Sequence, residues 1–405
     1  MGKHIQKVVI IGHGYASRLG VIRSVAQIGC EITVIVMAGY KRDGRTLNTK
    51  KPIDCYSKYV SNVHYCHAKD AEELVKLLLQ KCIDSQHKVV IIPDSDLSAA
   101  FVDQYQEQLE EFFLFPHIHH KPGAIIQWMD KVKQKEQAKV LGLNVSPACV
   151  VEIKDQQFTI PQSVNYPCFV KPKTTITGDK CLLRKCKNEN ELNEVLYEAG
   201  KIADMQVLIE DFKIIETEYA AVGFSDGTDV VIPGIIQMMI VSKSRPGITL
   251  KGKVLPLSGF EEFVAKLKQY IVNIGFVGLF DIDFYKSEGD FYFCELNLRF
   301  GGSGYAITKM GVNLPAMLVY SFTNRTFDDS SIDVHQECEF LNERLCVEDW
   351  YRGFLSTKDY KALMNSQCNT FIHDLNDTTP MKMLNHEIRI KHIKRIVKSF
   401  LKYSE

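Results

Sequence analysis

Apolar runs of strand length alternate with helical periodicity in the first third of the chain. Residues 7–11 read as a strand, a glycine turn follows at Gly12-His-Gly14, and residues 16–28 read as a helix. Two further apolar runs follow, at 31–37 and 89–93. Strands that alternate with helices predict a parallel sheet covered by helices. We therefore expect residues 1–125 to form a Rossmann-like domain.

The glycine turn carries part of a dinucleotide-binding fingerprint. Gly12 and Gly14 give the G-x-G start, but the next glycine, Gly20, comes six residues later instead of three. The spacing favours a helix-capping turn without a nucleotide. A nicotinamide-dependent oxidoreductase stays open as an alternative of a different class.

From residue 145 the pattern changes to a mixed sheet with few helices. A helix precedes it at 130–141, with Asp130 as its N-cap and Gly142 at its end. The predicted strands cover 168–171, 207–212, 218–224, 230–240, 278–285 and 291–298. Helical signals return after 326 and end in a basic amphipathic stretch at 387–402. That stretch either packs as a C-terminal helix or guides an anionic acceptor or membrane surface.

Composition narrows the class of protein. The 405 residues are 45% hydrophobic and 24% charged, as in ordinary globular proteins. Lysine plus arginine and aspartate plus glutamate both number 49, which gives no global electrostatic reason to bind nucleic acid or anionic lipid. No apolar run is long enough to cross a membrane, so we expect a cytoplasmic protein. The twelve cysteines lack a C-x-x-C pair, which favours free thiols.

The most informative segment is a predicted hairpin of residues 278–299. Alternate strand residues share a face, so Asp281 and Asp283 lie together, as do Glu295, Asn297 and Arg299. Symmetry about Gly289 would place Asp283 opposite Glu295 and Asp281 opposite Asn297. Carboxylates about 4.5 Å apart repel by roughly 3 to 4 kcal/mol at an effective dielectric constant of about 20. A cation is expected between them.

The donors in this hairpin are hard oxygens, which suits Mg²⁺ held jointly by protein and phosphates. Asp281, Asp283, Glu295 and Asn297 are the candidate ligands at this stage. A solvated polar hairpin face is the alternative. The turn Gly301-Gly302-Ser303 follows at once, and its amides with Arg299 can bind an oxyanion.

Other charged residues stand at the ends of predicted elements. Lys171 ends an apolar strand, where a phosphate is a natural partner, and Lys131 begins a helix. Glu210, Asp211 and Phe212 end another strand and are candidates to meet an adenine edge. Further candidates are Glu218 for ribose hydroxyls and Lys243, Arg245 and Lys251 for a substrate carboxylate or the γ-phosphate.

Taken in order, these segments resemble the ATP-grasp superfamily over about 320 residues. The resemblance implies an α/β (α+β) fold with a pre-ATP-grasp domain at 1–125 and an ATP-grasp domain at 126–325. The latter would have a small lid at 145–212 and a catalytic part at 213–325, followed by a mostly helical extension at 326–405. It also implies that Lys131 and Lys171 contact ATP phosphates and that residues 210–212 hold adenine.

The same resemblance implies two Mg²⁺, with Mn²⁺ as a substitute, on Asp283, Glu295 and Asn297. Arg299 and Lys171 become the catalytic residues of a ligase that forms an acyl phosphate. Residues 295–305 and 311–317 most resemble D-aspartate ligases, which join D-aspartate to a lysine amine of a peptidoglycan precursor. The loop 173–180 departs from many relatives because Gly178 is its one glycine.

Two functions remain open besides this ligase. A bicarbonate-activating enzyme of the carbamoyl phosphate synthetase or biotin carboxylase type would use the same site, and the oxidoreductase would use the Gly12 turn. The identity of the acid and of the amine, and the oligomeric state, are left open by the sequence.

Overall fold

The computed structural model describes residues 5–14, 16–41, 45–174, 183–325, 332–366 and 368–402. Its N-terminal part is a parallel sheet in the order β3-β2-β1-β4-β5, as the alternation of strands and helices predicts. The strands are β1 (Lys7–Gly12), β2 (Glu31–Ala38), β3 (Val60–His67), β4 (Val89–Pro93) and β5 (Phe113–Leu114). The helices are α1 (Ala16–Ala26), α2 (Ala71–Lys81), α3 (Asp96–Gln104) and α4 (Gln106–Leu109).

Both faces of this sheet are buried, which explains the continuous apolar runs. Val8 and Ile10 of β1 belong to one hydrophobic cluster, whereas Val9 and Ile11 belong to another on the opposite face. At the end of β1, Arg18 of α1 donates a hydrogen bond to the Gly12 carbonyl at 3.0 Å. The glycine turn is thus packed against a side chain of its own helix.

A short connection leads from this sheet to the rest of the chain. It consists of β6 (His117–Ile118), α5 (Ala124–Trp128), α6 (Lys131–Val140) and β7 (Asn144–Val145). Asp130 caps α6 as predicted, because its Oδ1 accepts from the Val132 amide at 2.8 Å.

An antiparallel sheet in the order β10-β9-β11-β8 follows, packed against one helix. Its elements are β8 (Ala148–Ile153), β9 (Cys168–Pro172), β10 (Arg184–Cys186), α7 (Glu189–Ile202) and β11 (Met205–Asp211). Most of the loop at 173–180, which was singled out for its single glycine, lies outside the described residues.

The largest sheet runs in the order β19-β18-β15-β14-β12-β16-β17-β7. It contains β12 (Thr217–Asp226), β13 (Val230–Val231), β14 (Ile235–Val241), β15 (Thr249–Leu255), β16 (Phe276–Ser287), β17 (Asp290–Asn297), β18 (Cys338–Leu341) and β19 (Asn369–Thr370). Helix α8 (Glu261–Ile274) covers one face, and α9 (Tyr305–Lys309) and α10 (Leu314–Phe322) pack against the other.

One predicted strand is wrong in its extent. Residues 230–240 were expected to form a single strand, but the structure divides them into β13 and β14. Pro233 and Gly234 lie at the break. Proline has no amide hydrogen for a sheet, and a Cβ on Gly234 would lie 2.7 Å from the Leu255 carbonyl oxygen.

The C-terminal helices are α11 (Glu343–Arg352), α12 (Thr357–Met364) and α13 (Thr379–Lys402). Arg23 of α1 is tied to this region by an ion pair with Asp377 at 2.9 Å. Among the described residues, no helix is both long and apolar enough to cross a membrane.

Candidate active site

The β16–β17 hairpin brings together the acidic residues that the sequence predicted. Asp283 lies opposite Glu295 and Asp281 opposite Asn297. The predicted centre of symmetry was wrong, however. Ser287 pairs with Asp290, so the turn centres between Glu288 and Gly289, which have φ angles of 54° and 86°.

A β-bulge at Cys294 restores the predicted pairing. The register shifts between Asp283 and Phe284, because Phe284 lies opposite Phe293 while Asp283 lies opposite Glu295. Cys294 is therefore the additional residue on β17. A regular hairpin with this turn would have put Cys294 opposite Asp283 and moved Glu295 out of the acidic pair.

The two carboxylates of β16, Asp281 and Asp283, are buried close together and have raised pKa values, as expected at a cation-binding position. Burial, together with the Asp281 and Glu295 carboxylates, raises the pKa of Asp283 well above its usual value. Burial also raises the pKa of Asp281, although Arg299 opposes the shift. The Oδ1 atom of Asp281 is buried and accepts no hydrogen bond among the described residues.

Basic groups hold several of these oxygens. Lys131 Nζ lies 3.3 Å from Glu295 Oε1, and Arg299 Nη1 lies 3.3 Å from Asp281 Oδ2. The Asn297 amide donates to Asp283 Oδ2 at 3.2 Å. The structure thus assembles Lys131 with the predicted metal ligands and Arg299 with the neighbouring Asp281.

The N-terminal domain also reaches Arg299, which the sequence did not reveal. Asp96, the first residue of α3, places Oδ1 3.4 Å from Arg299 Nε. Its position in the sequence could have indicated this, because Asp96 follows β4 at the carboxyl end of a parallel sheet. Side chains at that edge often line ligand-binding sites.

Lys171 lies in a buried ion cluster with Glu210. Its Nζ is 2.9 Å from Glu210 Oε1, and Lys135 Nζ is 2.8 Å from the same oxygen. Burial alone raises the pKa of Glu210, but the two ammonium groups outweigh it and leave that pKa below its usual value. Lys135 was missed because a lysine on a polar helix gives no sign of burial.

The segment predicted to meet adenine lies at the end of β11. The Asp211 amide donates to the Pro147 carbonyl at 2.9 Å, and the Phe212 amide donates to the Pro167 carbonyl at 3.1 Å. Glu218 lies on β12 opposite Tyr285, and burial raises the pKa of its carboxyl group. The end of β11 is therefore held by backbone hydrogen bonds to Pro147 and Pro167.

The glycine turn after β17 packs against the acidic hairpin. A Cβ on Gly301 would lie 2.5 Å from Asp281 Oδ2, so a larger residue would displace that carboxylate. Gly302 is exposed and Ser303 half-buried. The turn therefore begins in direct contact with the residue that pairs with Arg299.

Arg245 and Lys251 have acidic partners in the C-terminal region. Arg245 Nε lies 2.9 Å from Glu348 Oε2, and Lys251 Nζ lies 2.7 Å from Glu339 Oε2. The loop that contains Arg245 is also held by Asp349, which accepts from the Lys243 amide at 2.9 Å. Substrate contact by Arg245 remains a prediction.

The donor set fits Mg²⁺ by its chemistry. Within the part of the chain that the structure describes, no three His, Cys, Asp or Glu side chains are already arranged as a metal site. The predicted set contains two carboxylates and one amide, all supplying oxygen, next to an unpartnered buried oxygen of Asp281. Burial and the neighbouring carboxylates raise the pKa of Asp283, and a divalent cation there would stabilise its charged form.

Part of the chain is similar in sequence to known ATP-binding domains. Residues 130–318 match the family model of the carbamoyl-phosphate synthase L chain, ATP-binding domain. The large chain of carbamoyl phosphate synthase from Pseudomonas syringae pv. tomato is 26% identical over 219 residues, which is 53% of this chain and 20% of that protein. The chain thus spans about a fifth of the length of the curated relatives it matches.

Solved structures resemble a larger part of the chain. The L-amino acid ligase from Bacillus licheniformis has a TM-score of 0.61 at 15% identity, covering 83% of this chain and 79% of that one. The biotin carboxylase domain of 2-oxoglutarate carboxylase from Hydrogenobacter thermophilus has a TM-score of 0.62 at 20% identity, covering 83% and 74%. This chain has the ATP-grasp fold. The matched residues 130–318 contain the acidic hairpin, both predicted phosphate lysines and Arg299.

Proposed function

We propose that this ATP-grasp protein is an ADP-forming ligase that joins a carboxylate to an amine through an acyl phosphate. The observation that carries the proposal is the pairing of Asp283 with Glu295, which Lys131 contacts. Arg299 lies at the same hairpin, next to Asp281. The hairpin lies within the segment that matches an ATP-binding domain.

The chain's own residues divide into three roles. Lys131 and Lys171 would contact the ATP phosphates, and residues 210–212 with Glu218 would hold the adenosine. Asp283, Glu295 and Asn297 would hold Mg²⁺, which supplies charge compensation for the phosphates. Lys131 would then exchange its contact with Glu295 for a phosphate oxygen.

Arg299 and the turn at 301–303 would act on the acid substrate. A substrate carboxylate oxygen attacks the γ-phosphorus of ATP, and ADP leaves. The amine then attacks the carbonyl carbon of the acyl phosphate, and phosphate leaves. Both steps develop negative charge on oxygen, which a fixed guanidinium and backbone amides stabilise.

We further propose D-aspartate as the acid and the lysine amine of a peptidoglycan precursor as the acceptor. Support comes from the sequence of residues 295–305 and 311–317, which resembles D-aspartate ligases. The fold of an amino-acid ligase, with a TM-score of 0.61, is compatible with an amino-acid substrate.

Bicarbonate activation is a second candidate with support of its own. The family model and the curated relatives belong to carbamoyl phosphate synthase, and the Hydrogenobacter structure contains MgADP and bicarbonate. A bicarbonate-activating enzyme would release ADP with bicarbonate in the absence of an amino acid.

One assay separates these functions. The chain is incubated with MgATP, hydroxylamine and single acids, including D-aspartate, L-aspartate and other amino acids, because hydroxylamine traps acyl phosphates as hydroxamates. A parallel series measures ADP release with bicarbonate alone. We expect hydroxamate from D-aspartate. Hydroxamate from another acid would reassign the substrate. ADP release stimulated by bicarbonate would favour the second candidate. The absence of both hydroxamate and bicarbonate-stimulated ADP release would contradict the ligase assignment.

A further inference from the structure

The outer edge of β17 is completed by a side chain beside its predicted metal ligands. β7 pairs with β17 at Tyr292 and Phe293. Farther along, the Leu296 amide donates to Gln134 Oε1 at 3.0 Å, and Gln134 Nε2 donates to the Leu296 carbonyl at 2.8 Å. The carboxamide of Gln134 thereby makes both hydrogen bonds that a neighbouring strand would make.

Gln134 is itself held in one orientation. Its side chain is on α6 and the residue is 0% exposed. Nε2 also donates to the Trp128 carbonyl at 2.7 Å, and the Gln134 carbonyl accepts from the Tyr270 hydroxyl at 3.1 Å. A carboxamide has two N–H donors and one oxygen, and only this orientation satisfies two carbonyl acceptors and one amide donor.

The supported backbone lies between two predicted metal ligands. Leu296 separates Glu295 from Asn297 and comes two residues after the bulge at Cys294. A bulge interrupts the regular ladder, so pairing with β16 alone specifies the strand less strictly there. Lys131, one turn earlier on α6, reaches Glu295 at 3.3 Å, so the same helix contacts both the backbone and a side chain of this segment.

We propose that Gln134 is a positioning residue for the divalent cation: by holding Leu296, it keeps Glu295 and Asn297 at the separation that Mg²⁺ needs. The proposal rests on the proposed function, because it requires magnesium-dependent nucleotide binding at this hairpin. Gln134 acts through the backbone and contacts neither metal nor nucleotide.

The test compares Gln134→Met with Gln137→Met, a matched control on the same helix at a half-buried glutamine. Calorimetry of the full chain measures ADP affinity over a series of free Mg²⁺ concentrations, and the unfolding temperature is recorded in parallel. We expect Gln134→Met to need at least about tenfold more Mg²⁺ for half-maximal ADP binding, as removal of outer-shell partners of metal ligands typically does. Gln137→Met should match the wild type.

The outcomes distinguish this proposal from the function on which it rests. A Gln134→Met protein with a lower unfolding temperature but an unchanged Mg²⁺ requirement would make Gln134 merely structural and overturn the inference alone. A wild-type chain without magnesium-dependent ADP binding would overturn the proposed function as well.

If Gln134→Met does not fold, the calorimetric comparison is replaced by hydrogen exchange at the Leu296 amide of the wild-type protein. Protection that increases with MgADP supports the proposal, and an unprotected amide or unchanged protection overturns it.

Discussion

Arg299 is the residue on which the proposed chemistry depends most. Its guanidinium lies 3.3 Å from Asp281 and 3.4 Å from Asp96, so it joins the N-terminal domain to the acidic hairpin. The surrounding carboxylates raise the pKa of Arg299 despite its burial, so its charge is permanent. A permanent charge in a fixed position suits stabilisation of a developing oxyanion.

Replacement of Arg299 by alanine should lower hydroxamate formation by at least about 100-fold, because the fixed charge that stabilises the transition state is lost. Arg184→Ala is the control, since Arg184 forms an exposed ion pair with Glu198. Initial rates with saturating MgATP measure the effect. Turnover close to that of the wild type would remove Arg299 from the mechanism.

Glu210 allows a test of the buried ion cluster. Glu210→Gln should lower the free energy of unfolding by about 3 kcal/mol at pH 7, because Lys135 and Lys171 would be left buried without their shared carboxylate. Chemical denaturation measures the change, and Glu198→Gln at the exposed pair serves as the control.

The sign of the pH dependence follows from the lowered pKa of Glu210. The unfolded chain takes up a proton at this carboxyl first, so its stabilising effect is present above about pH 4.5 and is lost as pH falls further. The difference between wild type and Glu210→Gln should therefore shrink in acid. A difference independent of pH would show that the ion cluster does not cause it.

At the scale of elements, the bulge on β17 decides which residues meet. The turn at Glu288-Gly289 and a regular ladder would pair Asp283 with Cys294, and the additional residue brings Glu295 there instead. Helix α6 supports the same strand through Gln134 and Lys131. The predicted metal site thus depends on the β16–β17 hairpin and on helix α6, which lies far from it in the sequence.

Strand β6 gives an element-scale prediction, because its His117 pairs with Val277 of the central strand β16. Burial, with smaller effects of His120 and His119, lowers the pKa of His117 to about 4. The unfolded chain binds this proton more readily, so stability falls as pH drops from about 6.5 toward 4. His117→Asn should remove that loss.

The expected gain of His117→Asn over the wild type is about 1 kcal/mol more at pH 5 than at pH 7.5, a value discounted for the partial exposure of the ring. Urea denaturation at the two pH values measures it. His335→Asn, at an exposed histidine, is the control for the substitution itself. A pH-independent effect of His117→Asn would show that the protonation of His117 does not drive the loss.

Across the whole molecule, the C-terminal region is joined to both of the larger sheets. β18 pairs with β15, and Arg23 of α1 donates to the Phe371 and Ile372 carbonyls at 2.8 and 3.0 Å. Asp377 completes this clamp by pairing with Arg23 and accepting from the Lys58 amide at 3.0 Å. The first and last parts of the chain are therefore mutually dependent in stability.

Asp377→Ala should lower the free energy of unfolding by about 3 kcal/mol or more, because Arg23 would remain buried without its ion partner. Asp374→Ala is the matched control: its pair with Lys309 is partly exposed, so a loss of about 1 kcal/mol or less is expected. Denaturant unfolding of both variants measures the difference. Equal losses would contradict the clamp.

The sequence by itself determined the local elements and the chemical kind of the site. Apolar periodicity located β1, β2 and β4 of the parallel sheet and the strands of the acidic hairpin, but it did not locate β3, β8 or β15. Alternation along 278–299 was enough to place Asp281 with Asp283 and Glu295 with Asn297, because strand periodicity is a local property. It located Lys131 and Lys171 by their positions at element ends. It missed the break at Pro233-Gly234, where an otherwise continuous apolar run concealed the interruption.

Only the tertiary structure decided which distant groups share the site. Asp96, Lys135 and Gln134 lie far along the chain from their partners Arg299, Glu210 and Leu296, and their side chains are ordinary polar residues in the sequence. The bulge at Cys294 shifts the phase of the apolar alternation, because Phe291 and Phe293 before it and Leu296 and Leu298 after it belong to one hydrophobic cluster. Its place opposite Asp283 follows from the pairing of the two strands. Long-range contacts carry no local periodicity, so they become visible only when the elements are packed together.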